Sequence, residues 1–106
     1  MDNLKCISNY REMTENEKDR PIRELIEYDY PDETKKLISE HFEQYHEVDV
    51  CLACFAVDRI KGENLKSSIL VYTDGVYRWT NEEIYHFEKY GLRLNDDFIS
   101  YVLKTK

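Results

Sequence analysis

Residues 69–103 constrain the fold more than any other part of the chain. Two β-prone runs flank Asp74 and Gly75, a pair typical of a two-residue type I′ hairpin turn, in which both residues have positive φ. Thr80 and Glu83 then have the spacing of a capping box, which marks the start of a helix. These signals predict a β-hairpin that leads directly into a helix.

The same stretch predicts the end of that helix and the start of the last one. Gly91 is suited to a left-handed C-terminal stop, with Leu92 as its hydrophobic contact. Asn95 and the two aspartates after it should cap a final helix, and lysines follow at its C-terminal end. The C-terminal third is therefore predicted as hairpin, helix, glycine stop and helix.

Helices are predicted in the N-terminal half. The strongest pattern covers Asp32 to His46, where apolar residues recur on one face and two acids occupy the first turn. A shorter apolar stripe of Ile22, Leu25 and Ile26 predicts a helix that begins near Pro21 and stops near Pro31. In residues 1–13, a short helix is favoured by the spacing of the apolar residues.

The stretch from Val48 to Val57 is almost continuously apolar. Its length and composition predict a central strand, buried on both faces. Residues 67–73 and 76–79 supply two more strands. We therefore expect one α+β domain: a three-stranded antiparallel meander, with N-terminal helices and two C-terminal helices mainly on one sheet face.

The acidic charge is concentrated in one half of the chain. The net charge is −7, and residues 1–50 hold 14 acidic and 7 basic residues, whereas residues 51–106 hold 8 of each. An acidic surface attracts basic partners and repels nucleic acid, so we expect a basic protein partner and no direct binding of DNA or RNA. The same charge could instead serve only to keep the protein soluble.

Cys51 and Cys54 form a CxxC motif within the apolar stretch. In a buried strand they would be structural thiols, because a redox motif needs a helix N-terminus and a zinc site needs further ligands. The N-terminus has no leader pattern, and no window holds the ~18 apolar residues that a membrane span requires. We therefore expect a cytoplasmic protein with reduced thiols, without metal, cofactor or membrane contact.

The sequence contains no recognised catalytic motif. His41 and His46 are five residues apart, a spacing that does not place them on one helix face as a metal pair. GxSxG, HExxH and phosphate-loop patterns are absent. A small enzyme that uses His41 or Asp58 remains an alternative, and a cleft lined by an acid with a perturbed pKa would support it.

Residues 71–103 resemble the C-terminal signature of small bacterial proteins that pair a T-D-G-aromatic hairpin with a tyrosine-bearing helix and a closing D/E-F-I segment. In size and acidity, those proteins are similar to immunity proteins that neutralise polymorphic or contact-dependent toxins. The resemblance implies a non-enzymatic inhibitor of a basic toxin domain. A phage or mobile-element inhibitor that mimics nucleic-acid charge is the alternative binding protein.

The predicted partner-binding residues belong to two surfaces. The first combines acids on the off-core sides of the N-terminal helices with tyrosines as aromatic anchors. The second is an aromatic tip on the hairpin, with the alternative that its tryptophan anchors the hairpin on the following helix, as large aromatic side chains more often do. The acids are Glu24, Glu27, Asp29, Glu40, Glu43 and Glu47, the anchors are Tyr28, Tyr30 and Tyr45, and the tip is Tyr77 with Trp79.

Overall fold

The fold combines four helices, one 3₁₀ turn and four strands within residues 4–105, the part of the chain that this computed structural model describes. The order of the elements is β1 (Lys5–Cys6), α1 (Arg11–Thr14), the 3₁₀ turn (Ile22–Glu24), α2 (Asp32–Glu43), β2 (Asp49–Asp58), β3 (Glu63–Thr73), β4 (Tyr77–Thr80), α3 (Asn81–Tyr90) and α4 (Asp96–Thr105).

The four strands form one sheet in the order β1-β4-β3-β2. The last three strands are consecutive and antiparallel, which confirms the α+β class and the predicted pairing. The three-stranded meander is incomplete, however, because β1 adds a fourth strand parallel to β4, with Lys5 opposite Tyr77. The predicted arrangement, a three-stranded meander with helices mainly on one face, therefore matches the structure only in part.

The N-terminal segment is extended where a short helix was expected. Ile7 and Tyr10 are fully buried, and the carbonyl of Ile7 accepts a hydrogen bond from the backbone of Asn95. Only Arg11–Thr14 is helical, and residues 1–3 of the predicted helix lie outside the described residues. Contacts with distant residues thus override the helical spacing of the apolar side chains.

The helix predicted between Pro21 and Pro31 is a single 3₁₀ turn, Ile22–Glu24. Beyond it Glu27 has a φ of 60°, and its N–H donates to the carbonyl of Tyr90 rather than continuing a helix. The strong pattern after it is confirmed as α2, which ends at Glu43, before the expected His46.

Strand β2 lies at the edge of the sheet, so the prediction of a central strand is wrong. Cys51 is opposite Ile69 while Phe55 is opposite Ser68, so residues 52–54 have no partners on β3 and form a bulge. A Cys51–Cys54 disulfide closes this bulge. The expectation of two buried, reduced thiols is therefore also wrong; Cys54 is exposed, and Cys6 is the free cysteine of the described residues.

The β3–β4 hairpin forms as predicted, but its turn is not type I′. The loop spans residues 74–76, and Gly75 has a φ of 95° while Asp74 does not have positive φ. Asp74 instead accepts hydrogen bonds from the backbone of Val76 and Tyr77 through Oδ1. The aspartate side chain thus organises a three-residue loop, as is common for this residue type in turns.

The C-terminal helices begin and end largely as the sequence predicts. The capping box between Thr80 and Glu83 is confirmed, and Gly91 ends α3 in the left-handed conformation. Asn95 precedes α4, but its side chain donates to the Cys6 carbonyl and to the Asn9 side chain rather than capping the helix.

The core is an aromatic cluster on the sheet face that carries Trp79. The rings of Phe42 from α2 and Phe98 from α4 lie 5.3 and 6.3 Å from the Trp79 ring. Phe87 of α3 lies 5.8 Å from Phe42. Three helices therefore meet over β4, which leaves the outer strand β2 farther from the centre of the core.

Candidate functional site

An acidic face follows the exposed side of α2 into the chain that leads to β2. Glu40, Glu43 and Glu47 are all exposed, and their spacing of three and four residues places the first two on one side of the helix. The opposite side of α2 is buried in the core. No lysine or arginine occurs between residues 37 and 58. Lys36 lies one turn before Glu40 on α2, but the ion pairs of the described residues do not include it.

The second group of predicted acids lies near the end of α3. Glu24, Glu27 and Asp29 are exposed, as predicted. Backbone hydrogen bonds join their segment to the region around Gly91, including one from Arg93 to the Leu25 carbonyl. The contacts thus tie these acids to the C-terminal end of α3.

The predicted aromatic anchors occupy different environments. Tyr28 is exposed and lies under the Arg93 guanidinium, 5.2 Å from its ring centroid. Tyr45 is half-buried against Trp79. Tyr30 is buried, its hydroxyl donates to the Leu92 carbonyl at 2.7 Å, and burial raises its pKa to about 12. A buried and bonded Tyr30 cannot offer its ring to a partner.

The prediction of an exposed aromatic tip on the hairpin is wrong. Tyr77 and Trp79 are exposed by only 2% and 1%. Both point into the cluster of α2 and α4, where Tyr77 lies 5.0 Å from Phe98. These two rings hold the hairpin on the helices and serve the core.

The exposed apolar residues of β2 and the residue before it are the surface feature that the sequence analysis missed. We call Val48, Val50, Leu52 and Phe55 the outer patch; they are exposed by 54%, 39%, 80% and 56%. The sequence held one sign that this strand is irregular, the spacing of Cys51 and Cys54. Residues three apart in a regular strand are about 10 Å apart, too far for a disulfide, whereas the Cα atoms of Cys51 and Cys54 are 5.2 Å apart.

A buried carboxylate joins the end of β2 to α3. Asp58 Oδ2 accepts hydrogen bonds from the hydroxyls of Tyr85 and Tyr90 at 2.7 and 2.6 Å, and Oδ1 accepts from two backbone N–H groups. Burial by itself would raise the pKa of Asp58, but these hydrogen bonds outweigh it and hold the pKa well below its usual range. The carboxylate is therefore a weak base, and its hydrogen bonds join the end of β2 to α3.

A second network connects the same elements to the N-terminal segment. The Arg59 guanidinium donates to Glu82 at 2.9 Å, and the Tyr10 hydroxyl donates to the same oxygen at 2.9 Å. His86 accepts from the Arg59 backbone at Nε2 and donates from Nδ1 to the Glu82 carbonyl. This pattern defines a neutral histidine with both ring nitrogens in use.

His41 is paired with Asp74 in the aromatic cluster. Its Nε2 lies 2.8 Å from Asp74 Oδ2, and both side chains are almost fully buried. The rings of Tyr45, Trp79 and Phe98 surround His41. Within residues 4–105, no group of three or more candidate metal-ligating side chains comes together.

Two cavities on the surface of residues 4–105 are lined by neither His41 nor Asp58. The larger, about 250 Å³, is an open cleft that includes Arg20 and Arg93. The smaller, about 160 Å³, is lined by Cys6 and Glu83 among others. Burial raises the Glu83 pKa to about 7, so the smaller cavity is lined by an acid with a perturbed pKa, the feature expected of a small enzyme, although the acid is neither His41 nor Asp58. Both Glu83 oxygens already accept hydrogen bonds within the fold, from the Thr80 N–H and the Ser8 hydroxyl.

Comparison with known proteins adds no identification: no family matches the chain, and neither a curated protein nor a solved structure is similar to it. In the described part of the chain, no helix is long and apolar enough to cross a membrane. The function of the protein is therefore inferred from the surfaces and contacts of the chain itself.

Proposed function

We propose that the protein is an acidic binding protein that docks on a basic protein domain and inhibits it, as an immunity protein does with a toxin. The observation that carries this proposal is the acidic face of α2. Glu40, Glu43 and Glu47 are exposed in a segment without lysine or arginine. A concentrated surface charge of one sign raises the rate at which an oppositely charged partner docks.

The internal polar networks support a binding role over a catalytic one. Asp58 and His86 use their polar atoms to join the end of β2 to α3, and Glu82 also joins α3 to Tyr10 of the N-terminal segment. A catalytic acid or base must instead reach a proton on a substrate. The charged side chains free to meet another molecule lie on the exterior, where the acids of the N-terminal half predominate.

The proposal is tested by association kinetics. The partner is first identified by affinity purification and mass spectrometry, and association rates are then measured by stopped flow over a salt series. The variant Glu40→Lys/Glu43→Lys/Glu47→Lys should associate about tenfold or more slowly than wild type at low salt, because steering is lost. The wild-type rate should fall as salt rises, since screening shortens the reach of surface charge.

A matched control separates local steering from net charge. Glu15, Glu17 and Glu88 are also exposed, and their replacement by lysine changes the net charge by the same amount outside the acidic face. The control should keep most of the wild-type rate. Thermal unfolding verifies that both variants fold. Equal rates for wild type and the α2 variant, without salt dependence, would show that the acidic face serves only solubility.

A further inference from the structure

The outer patch is uncovered because β2 is the last strand of the sheet. Val50 lies opposite Leu70 and Phe55 lies opposite Ser68, so strand periodicity places Val50 and Phe55 on the same sheet face. Tyr72 and Trp79 share that face one and two strands inward. The helices cover Trp79 but leave the outer strand exposed, and such a row of large apolar side chains is typical of an interaction surface.

The bulge determines how another molecule can contact this strand. Residues 52–54 interrupt the pairing with β3, and the Cys51–Cys54 disulfide holds them together. A continuous backbone ladder along the free edge of β2 would be broken at this point. Leu52 is the most exposed large apolar side chain of the described residues. The surface is therefore suited to side-chain packing rather than to strand addition.

The charges beside the patch indicate which molecule covers it. No charged residue occurs from Val50 to Val57. The chain before the patch is acidic, with Glu43 and Glu47 exposed. The chain after it, residues 58–66, holds three basic residues and two acids, and on its exposed surface Lys61 and Lys66 outnumber Glu63. A basic partner that covered the whole strand would meet the positive end unfavourably. A second copy of the same strand, running antiparallel, would place an acidic end against a basic end on both sides.

We infer that the protein forms a homodimer in which the outer patches of two copies pack against each other about a two-fold axis near the bulge. A stable interface buries about 800 Å² on each partner, so the charged ends must contribute beside the apolar centre. The inference is independent of the proposed function, because it uses β2 instead of the acidic face of α2. Either can fail without the other.

The oligomeric state in solution tests this inference directly. Sedimentation equilibrium from about 1 to 500 μM should show a concentration-dependent shift from 12.8 kDa to twice that mass. The variant Leu52→Glu/Phe55→Glu should weaken the dimer by about 100-fold or more, because it places charges in the apolar centre. The control Val76→Glu/Leu103→Glu changes residues of 41% and 42% exposure elsewhere and should dimerise as wild type does.

A charge exchange tests the antiparallel arrangement. Glu47→Lys and Lys61→Glu should each weaken the dimer, and the double variant should restore it, because each end then again meets the opposite sign. Failure of the double variant to recover would reject this arrangement. A wild-type protein that stays monomeric over the whole concentration range, or a patch variant that dimerises as tightly as wild type, would overturn the homodimer itself.

Discussion

At the scale of single residues, two buried carboxyl groups respond to their surroundings in opposite ways. Four hydrogen bonds hold Asp58 in its charged form, against the effect of burial. Burial dominates at Glu83, where the pKa rises to about 7 despite hydrogen bonds from Ser8 and Thr80. These groups should make the stability of the protein depend on pH in opposite directions.

Glu83 should make the protein less stable as the pH rises from 4.5 to 7. Its folded-state pKa lies above the ordinary value of 4.5, so the folded protein binds this proton more tightly than the unfolded chain does. In Glu83→Gln, the amide can donate to Ser8 and accept from Thr80 at every pH. The free energy of unfolding of wild type, relative to that of Glu83→Gln, should therefore fall by on the order of 3 kcal/mol between pH 4.5 and 8.

Urea denaturation of both proteins over this pH range measures the effect. Parallel pH profiles for wild type and Glu83→Gln would show that Glu83 titrates normally in the folded protein. Asp58 contributes in the opposite sense: its stabilisation is present above the unfolded-state pKa and is lost only as the pH falls below it, so it does not change between pH 5 and 8.

The replacement Asp58→Asn should destabilise the protein by about 1–3 kcal/mol at pH 7, because it removes the charge that strengthens the hydrogen bonds from the Tyr85 and Tyr90 hydroxyls. Chemical denaturation gives the free energy of unfolding. Asp29→Asn, at an exposed position, is the matched control and should change it by less than about 0.5 kcal/mol. Similar effects at both positions would mean that the Asp58 network adds no stability.

At the scale of elements, the end of α3 depends on a glycine in a crowded position. Gly91 and Gly62 both have positive φ, but a Cβ atom on Gly91 would lie 3.3 Å from the Tyr28 carbonyl oxygen, whereas one on Gly62 would have no neighbour within 4 Å. Gly91→Ala should therefore cost about 1 kcal/mol or more beyond Gly62→Ala in thermal unfolding. Equal costs would show that the segment around Tyr28 adjusts freely.

The disulfide that closes the bulge in β2 determines how many free thiols the protein should have. Under denaturing, non-reducing conditions, the purified protein should react with one equivalent of Ellman's reagent, at Cys6, because Cys51 and Cys54 are joined. After reduction it should react with three equivalents, one for each cysteine of the chain. Three equivalents before reduction, in protein isolated without reductant, would contradict the disulfide.

At the scale of the whole molecule, the N-terminal segment closes the fold by joining β4 to the loop before α4. Ile7 is fully buried, and its carbonyl accepts from Asn95. Ile7→Ala should therefore cost about 2–5 kcal/mol of unfolding free energy, as expected for a core residue. Leu103→Ala, at a 42% exposed position on α4, should cost much less. If urea denaturation showed that both variants lose a comparable free energy of unfolding, Ile7 would not stabilise the protein as a core residue does.

Features that depend on residues close together in the chain were predictable from the sequence. Thr80 and Glu83 define the start of α3, and Gly91 defines its end, because each forms its hydrogen bonds within a few residues along the chain. Helical periodicity likewise predicted that Glu40 and Glu43 would be exposed while Phe42 would be buried. Local geometry is sufficient for such predictions, since the partners are brought together by the helix itself.

Contacts between distant elements determine which apolar residues form the core and which lie on the surface. Val50 and Leu52 belong to an apolar run that is typical of a buried strand, but the strand order leaves them at the sheet edge. Tyr77 and Trp79 lie close to the hairpin turn, a position compatible with an exposed aromatic tip, but α2 and α4 cover them. The physical reason is that burial depends on elements far apart in the chain, and hydrophobicity is not directional, so an apolar side chain does not specify which element covers it.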